Sequence, residues 1–482
     1  MPTMRVQALA LLLFCLSIQA APPPSSTTQS APLPAPVRSA LREAQLPADA
    51  LALWVAPVDG GRPRLQWRAE ALHNPASLSK LATTFAALEQ LGPAWRWQTP
   101  VWLDGAVDRE RGVLQGNLVI QGRGDPSLVL ERLWLLLRRV QQLGVREIQG
   151  DIVLDNSAFA PDPQAPDAFD GEAWRAGNVR PDALLFNFKS HTLQLQPEPA
   201  RGLAWVRFDT PLQPAQDRVP LKPGPCVDGR SALRASWLEP GAGGPLRLGG
   251  HWPGACGEHS WPLADPEPAS YNARLIRALW RELGGKLSGQ ARSGTAPADK
   301  PPSFEQASPP LAEVVRDINK HSNNLMAEQL WLSLPLQAGA PVADAALARA
   351  QLRSWLQARL GWQGEDWLLE NGSGLARQSR LSARQIGELL LAAWASPVMP
   401  EFVASLPLAG EDGTLRREPE RFGPARARAH LKTGSLRDVN AVAGYLLTAR
   451  GERLVVVALI QHERAQAGRA VLAALLRSLA GG

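Results

Sequence analysis

The two ends of this 482-residue chain carry the same kind of element, a pair of apolar strands around a short turn. Near the start, residues 51–58 (LALWVAPV) and 64–67 (RLQW) enclose the turn sequence DGG at 59–61. Near the end, residues 441–449 (AVAGYLLTA) and 454–460 (LVVVALI) enclose the turn sequence RGE. Such runs around a glycine turn predict β-hairpins. Hairpins at both ends predict one sheet built from the two termini of the chain.

The middle of the chain changes in character at about residue 95. Two similar strand phrases, GNLVIQG at 116–122 and GDIVLDN at 150–156, enclose a helical pattern at 128–143. After them, residues 184–266 are rich in proline and glycine and contain short strand-like pieces. A second proline-rich stretch, at 296–310, is typical of a linker that returns the chain to the first domain. We therefore predict that the middle of the chain is an insertion into the first domain.

The first twenty residues (MPTMRVQALALLLFCLSIQA) contain a positive charge at Arg5, a short apolar run and small residues at the end. This pattern is typical of a cleaved secretory signal peptide, and the apolar run is short for a membrane span. Residues 21–37 are rich in proline, serine and threonine, which predicts a flexible start of the mature chain. We therefore expect export to the periplasm.

Two cysteines remain after removal of the signal peptide, Cys226 and Cys256. In an oxidising compartment this pair predicts one disulfide, although two separate buried thiols would also fit. The formal net charge of +6 is spread without a dense basic run, so nucleic acid is not an expected partner. No metal site and no cofactor are predicted. Residues 465–479 have helical periodicity and should pack on the terminal sheet, so that any membrane association is weak.

One segment combines a helical pattern with side chains that can carry chemistry, NPASLSKLATTFAALEQLG at 74–92. On that helix Ser77 and Lys80 are three residues apart and share a face, whereas Ser79 points elsewhere. A serine hydroxyl becomes a nucleophile when a neighbouring base takes its proton, and a lysine can be that base only when it is neutral. The spacing selects Ser77, on condition that the pKa of Lys80 falls from about 10.4.

Ser-x-x-Lys alone is common and usually marks a solvated helix face. Two further motifs follow it: SNN at 322–324, before a helical pattern, and KTG at 432–434, before the terminal hairpin. Lys-Thr-Gly alone is better explained by a strand that enters a turn. The three motifs in this order, each in a fitting structural context, instead predict one active site.

The downstream motifs supply the groups that this chemistry needs. Lys432 offers a cation that can bind a substrate carboxylate and lower the pKa of Lys80. Ser322 can pass a proton between Lys80 and a leaving amine, and Asn324 can hold the Lys80 side chain or a substrate amide. Gly434 lets a substrate backbone approach the strand edge, so that a peptide can add as an extra strand.

These motifs resemble those of the penicillin-recognising serine enzymes. Within that group, the chain is similar to the D-alanyl-D-alanine carboxypeptidase/endopeptidase family, the class C low-molecular-mass penicillin-binding proteins of the penicillin-binding protein four type. The likeness covers nearly the whole mature chain. Beyond the three motifs it includes GRGDPSL at 122–128, the D-x-S phrase at 155–157, NGSGLARQSRLS at 371–382, LPLAGEDGTL at 406–415 and KTGSLRDVNAVAGY at 432–445.

The resemblance implies an α+β fold: a penicillin-recognising, transpeptidase-like serine domain, with an antiparallel sheet flanked by helices, split by a large two-domain insertion. This agrees with the long interval between the first and second motifs. The expected boundaries are 38–94 and 296–482 for the catalytic domain and 95–295 for the inserted region, with about 105–175 nested inside 95–104 and 176–295.

The resemblance also implies an acyl-enzyme mechanism on peptidoglycan stem peptides. Ser77 would attack the carbonyl between two terminal D-alanines and release the last one, and water would then free the enzyme; cross-bridges could be cut in the same way. Penicillins and other β-lactams would acylate the same serine. Backbone N–H groups of Ser77 and Ser435 are the expected oxyanion donors. Thr433, Gly434 and Ser435 are expected to bind substrate, and Arg377 matches a position near the substrate side-chain pocket.

Two positions depart from the family pattern or vary within it. Asn371 stands where the family usually has aspartate, so no charged role is carried over to it. Arg437 occupies a variable position, so the preference for a particular diamino acid is not inherited. The sequence also leaves open whether carboxypeptidase or endopeptidase action dominates, and whether the protein forms a homodimer.

The function nearest to this one is that of a β-lactamase of the same fold, which needs fast deacylation. A tyrosine in the second motif is excluded, because Tyr271 and Tyr445 are both far from it in sequence. A glutamate base could be Glu370, but its surroundings match the carboxypeptidase phrase instead.

Two more functions belong to different classes of protein. A histidine-dependent hydrolase could use His73, His321 or His430, yet the Gly-Ser-Gly at 372–374 lacks the spacing of a nucleophile elbow. A catalytically inactive peptidoglycan-binding scaffold is disfavoured, because all five catalytic side chains are present.

Overall fold

The structure, a computed structural model, describes residues 32–213, 217–226, 229–237 and 246–481. The expected signal peptide and most of the expected flexible start lie outside the described residues. The last part of that start belongs to a helix rather than to a flexible segment, since the first helix begins at Ala35 and buries Val37. None of the helices within the described ranges is long and apolar enough to cross a bilayer.

The helices of the described ranges are α1 Ala35–Glu43, α2 Ser79–Leu91, α3 Leu130–Gln142, α4 Pro268–Glu282, α5 Leu311–His321, α6 Asn324–Gln337, α7 Ala345–Leu360, α8 Ala383–Trp394, α9 Met399–Ser405 and α10 Arg469–Gly481.

The strands of the same ranges are β1 Leu51–Pro57, β2 Leu65–Trp67, β3 Leu72–His73, β4 Gln98–Asp108, β5 Val113–Gln121, β6 Glu147–Ile148, β7 Ile152–Asp155, β8 Ser190–Glu198, β9 Leu203–Phe208, β10 Asp217–Lys222, β11 Leu233–Trp237, β12 Leu246–Gly250, β13 Trp252–Pro253, β14 His259–Ala264, β15 Lys286–Leu287, β16 Ala291–Ser293, β17 Phe304–Ala307, β18 Leu381–Ser382, β19 Ala429–Leu436, β20 Val439–Leu447 and β21 Arg453–Gln461.

The two ends of the chain form one antiparallel sheet, in the order β19-β20-β21-β1-β2. Strand β1 pairs with β21 over its whole length, with Leu53 opposite Ala458, so the N-terminal and C-terminal hairpins join at this seam. The prediction of a shared terminal sheet is therefore confirmed. Strand β19, which carries the Lys-Thr-Gly motif, lies at the edge of the sheet and has β20 as its partner.

Both faces of the terminal sheet are covered by helices. On one face β20 and β21 pack on α1 and α10, which contribute residues such as Val37 and Leu475 to a continuous apolar core. On the other face the core contains α2, α5, α6 and α8, with Phe85, Leu330 and Leu390 fully buried. The C-terminal helix therefore packs on the sheet, as the sequence predicts, and the motif helices α2 and α6 lie together on the opposite side.

The inserted region begins with β4 and consists of two units with separate apolar cores. The outer unit is a seven-stranded sheet with the path β15-β6-β5-β4-β17, to which β7 and β16 add beside β5. Helices α3 and α4 share the apolar core of this sheet through residues such as Leu136 and Leu275. The inner unit contains the sheet β13-β10-β9-β8-β14 and the hairpin β11-β12.

The nesting of the two inserted units is the reverse of the prediction. We expected residues of about 105–175 to be the inner unit, but residues 190–264 form it, and the outer unit is built from 98–155 and 268–307. After the inner unit the chain returns to the sheet of the outer unit and completes it. Strand β16 pairs in parallel with β7, and β17 pairs antiparallel with β4. Strand partners distant in sequence leave no local pattern, so the sequence does not reveal this order.

The proline-rich stretch at 296–310 is more than a linker. It contains β17, which pairs with β4 at the edge of the outer sheet, so the catalytic domain resumes near Leu311 rather than at residue 296. In the inner unit, Cys226 and Cys256 are joined in a disulfide.

Candidate active site

A strained turn places Ser77 at the start of α2. The buried Ala76 has a φ of 47°, in the left-handed region that non-glycine residues rarely adopt. The side chain of Asn74 stabilises this turn, because its Oδ1 accepts a hydrogen bond of 2.8 Å from the backbone N–H of Ala76. A single 3₁₀ turn, Ala76–Leu78, then leads into the α-helix. Backbone strain of this kind is typical of functional sites.

A second strained residue presents the Ser-Asn-Asn motif. Helix α5 ends at His321, and Ser322 follows with a φ of 54°. The side chain of Asn323 then caps α6 by accepting a hydrogen bond of 3.1 Å from the backbone N–H of Met326. This sharp junction between two helices directs Ser322 toward Lys432 of β19 and Asn324 toward Lys80 of α2.

Lys80 is fully buried and hydrogen-bonded to neutral oxygens. Its Nζ lies 3.0 Å from the Oγ of Ser77, and it donates to the Oδ1 of Asn324 at 2.7 Å and to the carbonyl of Ser373 at 2.5 Å. Burial lowers the pKa of Lys80 from its usual value of 10.5 to about 7, against a raising effect of Glu328. The amine is therefore neutral above about pH 7 and can accept the Ser77 proton.

Lys432 is the second fully buried lysine of the site. Its Nζ donates to the Oγ of Ser322 at 2.8 Å and to the carbonyl of Thr433 at 2.9 Å. Burial lowers the pKa of Lys432 well below its usual range, and the charge of Lys80 lowers it further. The two lysines therefore form two separate pairs with the serines: Lys80 with Ser77, and Lys432 with Ser322.

The structure therefore brings together the five side chains that we predicted as catalytic. Ser77 lies in the 3₁₀ turn before α2 and Lys80 on α2 itself, Ser322 and Asn324 flank the start of α6, and Lys432 lies on β19. Their hydrogen bonds form the two pairs described above, and the Oδ1 of Asn324 accepts a further bond from Lys80.

Sequence reasoning missed the loop at 371–374 as part of the site. The Ser373 carbonyl bonds Lys80, and Gly374 has a φ of +79° with its Cα facing the Ser77 turn. A Cβ at Gly374 would lie 1.9 Å from the carbonyl oxygen of Ala76, so only glycine fits there. The NGSG phrase is visible in the sequence, but a contact made by a backbone carbonyl has no side-chain signal.

The predicted substrate-binding residues of β19 surround the serine in different ways. Thr433 faces the cleft, and its Oγ1 lies 2.8 Å from the Oγ1 of Thr414. Ser435 is exposed in the same cleft. Gly434 is buried, and a Cβ there would lie 2.9 Å from the carbonyl of Pro75, so this glycine already allows close contact between the strand and the Ser77 turn.

Ser77 opens into a cavity of about 890 Å³ with a strongly cationic lining. Two of the basic side chains are paired, Arg175 with Asp170 and Arg421 with Glu418. Arg377 lines the same cavity, as predicted from the family position, but its guanidinium donates to the carbonyl of Phe169 and stacks 4.7 Å from that ring. The arginines of the lining are Arg175, Arg377, Arg380, Arg417, Arg421, Arg437 and Arg469, against the carboxylates Asp170, Glu418 and Asp438.

The groups that a histidine-dependent hydrolase or a glutamate-dependent β-lactamase would require lie elsewhere. Of the described residues that line the Ser77 cavity, none is a histidine. His73 bonds the carbonyl of Ala71 at 3.0 Å, and burial lowers its pKa. Glu370, the glutamate that could serve a β-lactamase, lines a second cavity and accepts a bond of 3.2 Å from the backbone N–H of Gln378.

Two D-alanyl-D-alanine carboxypeptidases are similar to this chain over most of its length. D-alanyl-D-alanine carboxypeptidase DacB of Haemophilus influenzae is 24% identical over 390 residues, 80% of either protein. D-alanyl-D-alanine carboxypeptidase of an Actinomadura species is 28% identical over 392 residues, 78% of this chain and 71% of that protein.

Solved structures extend the likeness to the fold. Penicillin-binding protein 4 of Haemophilus influenzae has a TM-score of 0.71 at 22% identity, with 92% of this chain and 98% of that chain covered, and it has also been solved in complex with a β-lactam. The α+β architecture with a penicillin-recognising fold is thereby confirmed. The model of the family described as D-Ala-D-Ala carboxypeptidase 3 (S13) matches residues 33–480. The chain belongs to this family of serine carboxypeptidases.

Proposed function

We propose that the protein releases D-alanine from peptidoglycan stem peptides through an acyl-enzyme on Ser77. The observation that carries this proposal is the contact between the Ser77 hydroxyl and the fully buried amine of Lys80. Neutral Lys80 takes the hydroxyl proton while the serine oxygen attacks the carbonyl between the two terminal D-alanines. Backbone N–H groups of Ser77 and Ser435 stabilise the oxyanion.

The second pair completes the proposed cycle. Ser322, hydrogen-bonded to Lys432, relays to the leaving amine of D-alanine the proton that Lys80 took from Ser77, so the peptide C–N bond breaks and Lys80 is neutral again. Water then attacks the acyl group while neutral Lys80 takes its proton, and Lys80 returns that proton to the Ser77 oxygen as the ester bond breaks and the free serine is restored. The proposed cycle requires no cofactor or metal.

The lining of the cavity supports an anionic peptide as the substrate. The C-terminal carboxylate of D-alanine fits beside the hydroxyl of Thr433, and the surrounding arginines favour further carboxylates of the stem peptide. The cavity extends well beyond Ser77, as far as Arg417 and Arg469. This room favours cleavage of cross-linked peptides as a second activity of the same site.

Penicillins should acylate the same serine, because a β-lactam carbonyl takes the position of the peptide carbonyl and its carboxylate that of D-alanine. The test is intact-mass analysis after incubation with benzylpenicillin. We expect one penicilloyl adduct on the wild type and no adduct on Ser77→Ala. An adduct that persists on the variant would disprove the assignment of the nucleophile.

Three further expectations remain predictions. We propose that the chain is exported to the periplasm, on the pattern of its first twenty residues. A weak association with membranes and a homodimer are compatible with the sequence and stay predictions. Digestion of cross-linked and uncross-linked muropeptides would measure how the activity divides between endopeptidase and carboxypeptidase action.

A further inference from the structure

Glu328 lies one helical turn after Asn324 on α6, so the two side chains share a face of the helix. Asn324 bonds Lys80 directly at 2.7 Å. Glu328 instead bonds the loop that supplies another acceptor for Lys80: the Oγ of Ser373 donates to its Oε1 at 2.7 Å. The carbonyl of that same serine accepts from Lys80 at 2.5 Å. One helix face thus supports the lysine twice, once directly and once through Ser373.

Asn371 closes the loop around this contact. Its Oδ1 accepts from the backbone N–H groups of Ser373 at 3.2 Å and Gly374 at 2.8 Å, while its Nδ2 donates to the Oε1 of Glu328 at 3.3 Å. The carboxylate therefore receives two hydrogen bonds from the loop, and the loop cannot rotate its Ser373 carbonyl away from Lys80 without breaking them.

We propose that Glu328 is a positioning residue for Lys80: it fixes the Ser373 carbonyl that orients the amine, and its negative charge faces the amine across the loop. Glu328 itself does not touch the serine nucleophile, and it acts only through Ser373 and through its charge. The proposal rests on the proposed function, because Lys80, the residue that Glu328 positions, is the base of the proposed acylation.

Three charged side chains act on Glu328: Lys80, Arg180 and Asp162. Lys80 acts on it from α2, and Arg180 and Asp162 act on it from the inserted region. Glu328 itself is half-buried and lines a cavity of about 460 Å³. Burial raises the pKa of Glu328, whereas the hydrogen bond from Ser373 and the charges of Arg180 and Lys80 oppose this rise. In return, the charge of Glu328 raises the pKa of Lys80 against the effect of burial. The carboxylate thus sets how basic the buried amine remains.

The charge and the hydrogen bond can be separated by two substitutions. Glu328→Gln keeps an oxygen that accepts from Ser373 but removes the charge, so the pKa of Lys80 should fall. We expect the acid limb of the penicillin acylation rate to move to lower pH, by on the order of half a pH unit, with the rate above the limb changed by less than about threefold. Glu328→Ala removes the acceptor as well and should lower the rate above the limb by about 10- to 100-fold.

Glu89→Gln is the matched control. Glu89 is a half-buried glutamate on α2 whose Oε1 accepts from the Oγ of Ser396 at 2.8 Å, away from the Ser77 cavity. The Glu89→Gln substitution should leave both the acylation rate and the midpoint of its acid limb unchanged. A limb in Glu328→Gln that coincides with that of the wild type would overturn the proposal, whatever Glu328→Ala does to the rate or to folding. If the wild type itself forms no adduct, the proposed function fails instead.

Discussion

Two regions of the protein bury charged groups to a similar depth and use them in opposite ways. In the catalytic domain, Lys80 and Lys432 are completely inaccessible, and the partners that the structure gives their amines are neutral oxygens. Between the inner inserted unit and α4, His191 and Asp265 are also buried, but Asp265 bonds both His191 at 2.8 Å and the guanidinium of Arg274 at 2.6 Å.

The pKa is lowered in both regions, but the consequence for the charge is opposite: a lowered pKa favours a neutral Lys80 and an ionised Asp265. Burial lowers the pKa of Lys80 to about 7, because no neighbouring carboxylate offsets it fully. Burial would raise the pKa of Asp265, but the hydrogen bond from His191 and the charge of Arg274 lower it below its usual value. Burial without an ion pair therefore leaves a reactive amine at Lys80, whereas burial with His191 and Arg274 as partners leaves a structural carboxylate at Asp265.

The inserted network also contains a hydroxyl, since the Nδ1 of His191 lies 2.6 Å from the Oγ1 of Thr210. Hydroxyl, imidazole and carboxylate are the groups of a catalytic triad, yet Thr210 is only 3% exposed and does not line the Ser77 cavity. The network joins β8 to the start of α4, and its position favours a role in stability. The first two predictions test this division of roles.

The largest effect should come from Lys80→Met, which keeps the length of the side chain and removes the amine. A general base contributes about 10²- to 10⁴-fold to a rate, so penicillin acylation should fall by that factor. Stopped-flow or quenched mass analysis of the penicilloyl adduct measures this, with circular dichroism as the check on folding. A variant that acylates within about threefold of the wild type would remove Lys80 from the mechanism.

The next effect should come from Asp265→Ala and should be on stability. Removal of one partner from a buried ion pair costs about 3–5 kcal/mol, because the other charge remains buried. We expect a loss of this size in the free energy of unfolding by urea, with the acylation rate of the folded enzyme unchanged. Asp299→Ala, at an exposed position of the inserted region, is the control and should change neither quantity. Loss of acylation in folded Asp265→Ala protein would contradict the structural assignment.

A smaller effect should appear in the pH dependence of stability. The pKa of Lys80 is about 7 in the folded state and about 10.4 when unfolded, so the unfolded state binds more protons between these values. Stability should therefore rise with pH, and Lys80 should contribute roughly 2–3 kcal/mol of this rise between pH 7 and 9. Lys80→Met should flatten the rise by that amount in urea titrations. Asp265 also makes the protein more stable as the pH rises, but in the acid range, because its contribution to stability is lost as the pH falls through its lowered pKa. An equal slope for wild type and Lys80→Met would show that the pKa of the lysine is not depressed.

The smallest effect should come from Ser79→Ala. Ser79 is fully buried beside the catalytic turn, and its Oγ has no hydrogen-bond partner among the described residues. Removal of an unsatisfied buried hydroxyl should change the free energy of unfolding by less than about 1 kcal/mol and leave acylation intact. Loss of acylation in this variant would count against Ser77 as the nucleophile.

The catalytic side chains could be predicted because each motif is short and the order of the three motifs can be read directly from the sequence. Ser77 and Lys80 share a helix face at a separation of three residues, and the two later motifs precede a helix and a strand hairpin that the sequence pattern predicts. Glu328 follows Asn324 at the same kind of helical spacing, but nothing in the pattern distinguishes it from a glutamate on a solvated face. The nesting of the inserted units and the Ser373 carbonyl depend on contacts between distant segments, which leave no periodic signal.

The central claim is that burial makes Lys80 a neutral base for Ser77, and the pH profile of wild-type acylation tests it most directly. The second-order rate of penicilloyl adduct formation should be measured from about pH 5 to about pH 10 at constant ionic strength. We predict an acid limb with a midpoint near pH 7, where Lys80 loses its proton, and a higher rate above it. A rate that is flat across this range, or that begins to rise only near the unperturbed lysine pKa of about 10.4, would contradict the account.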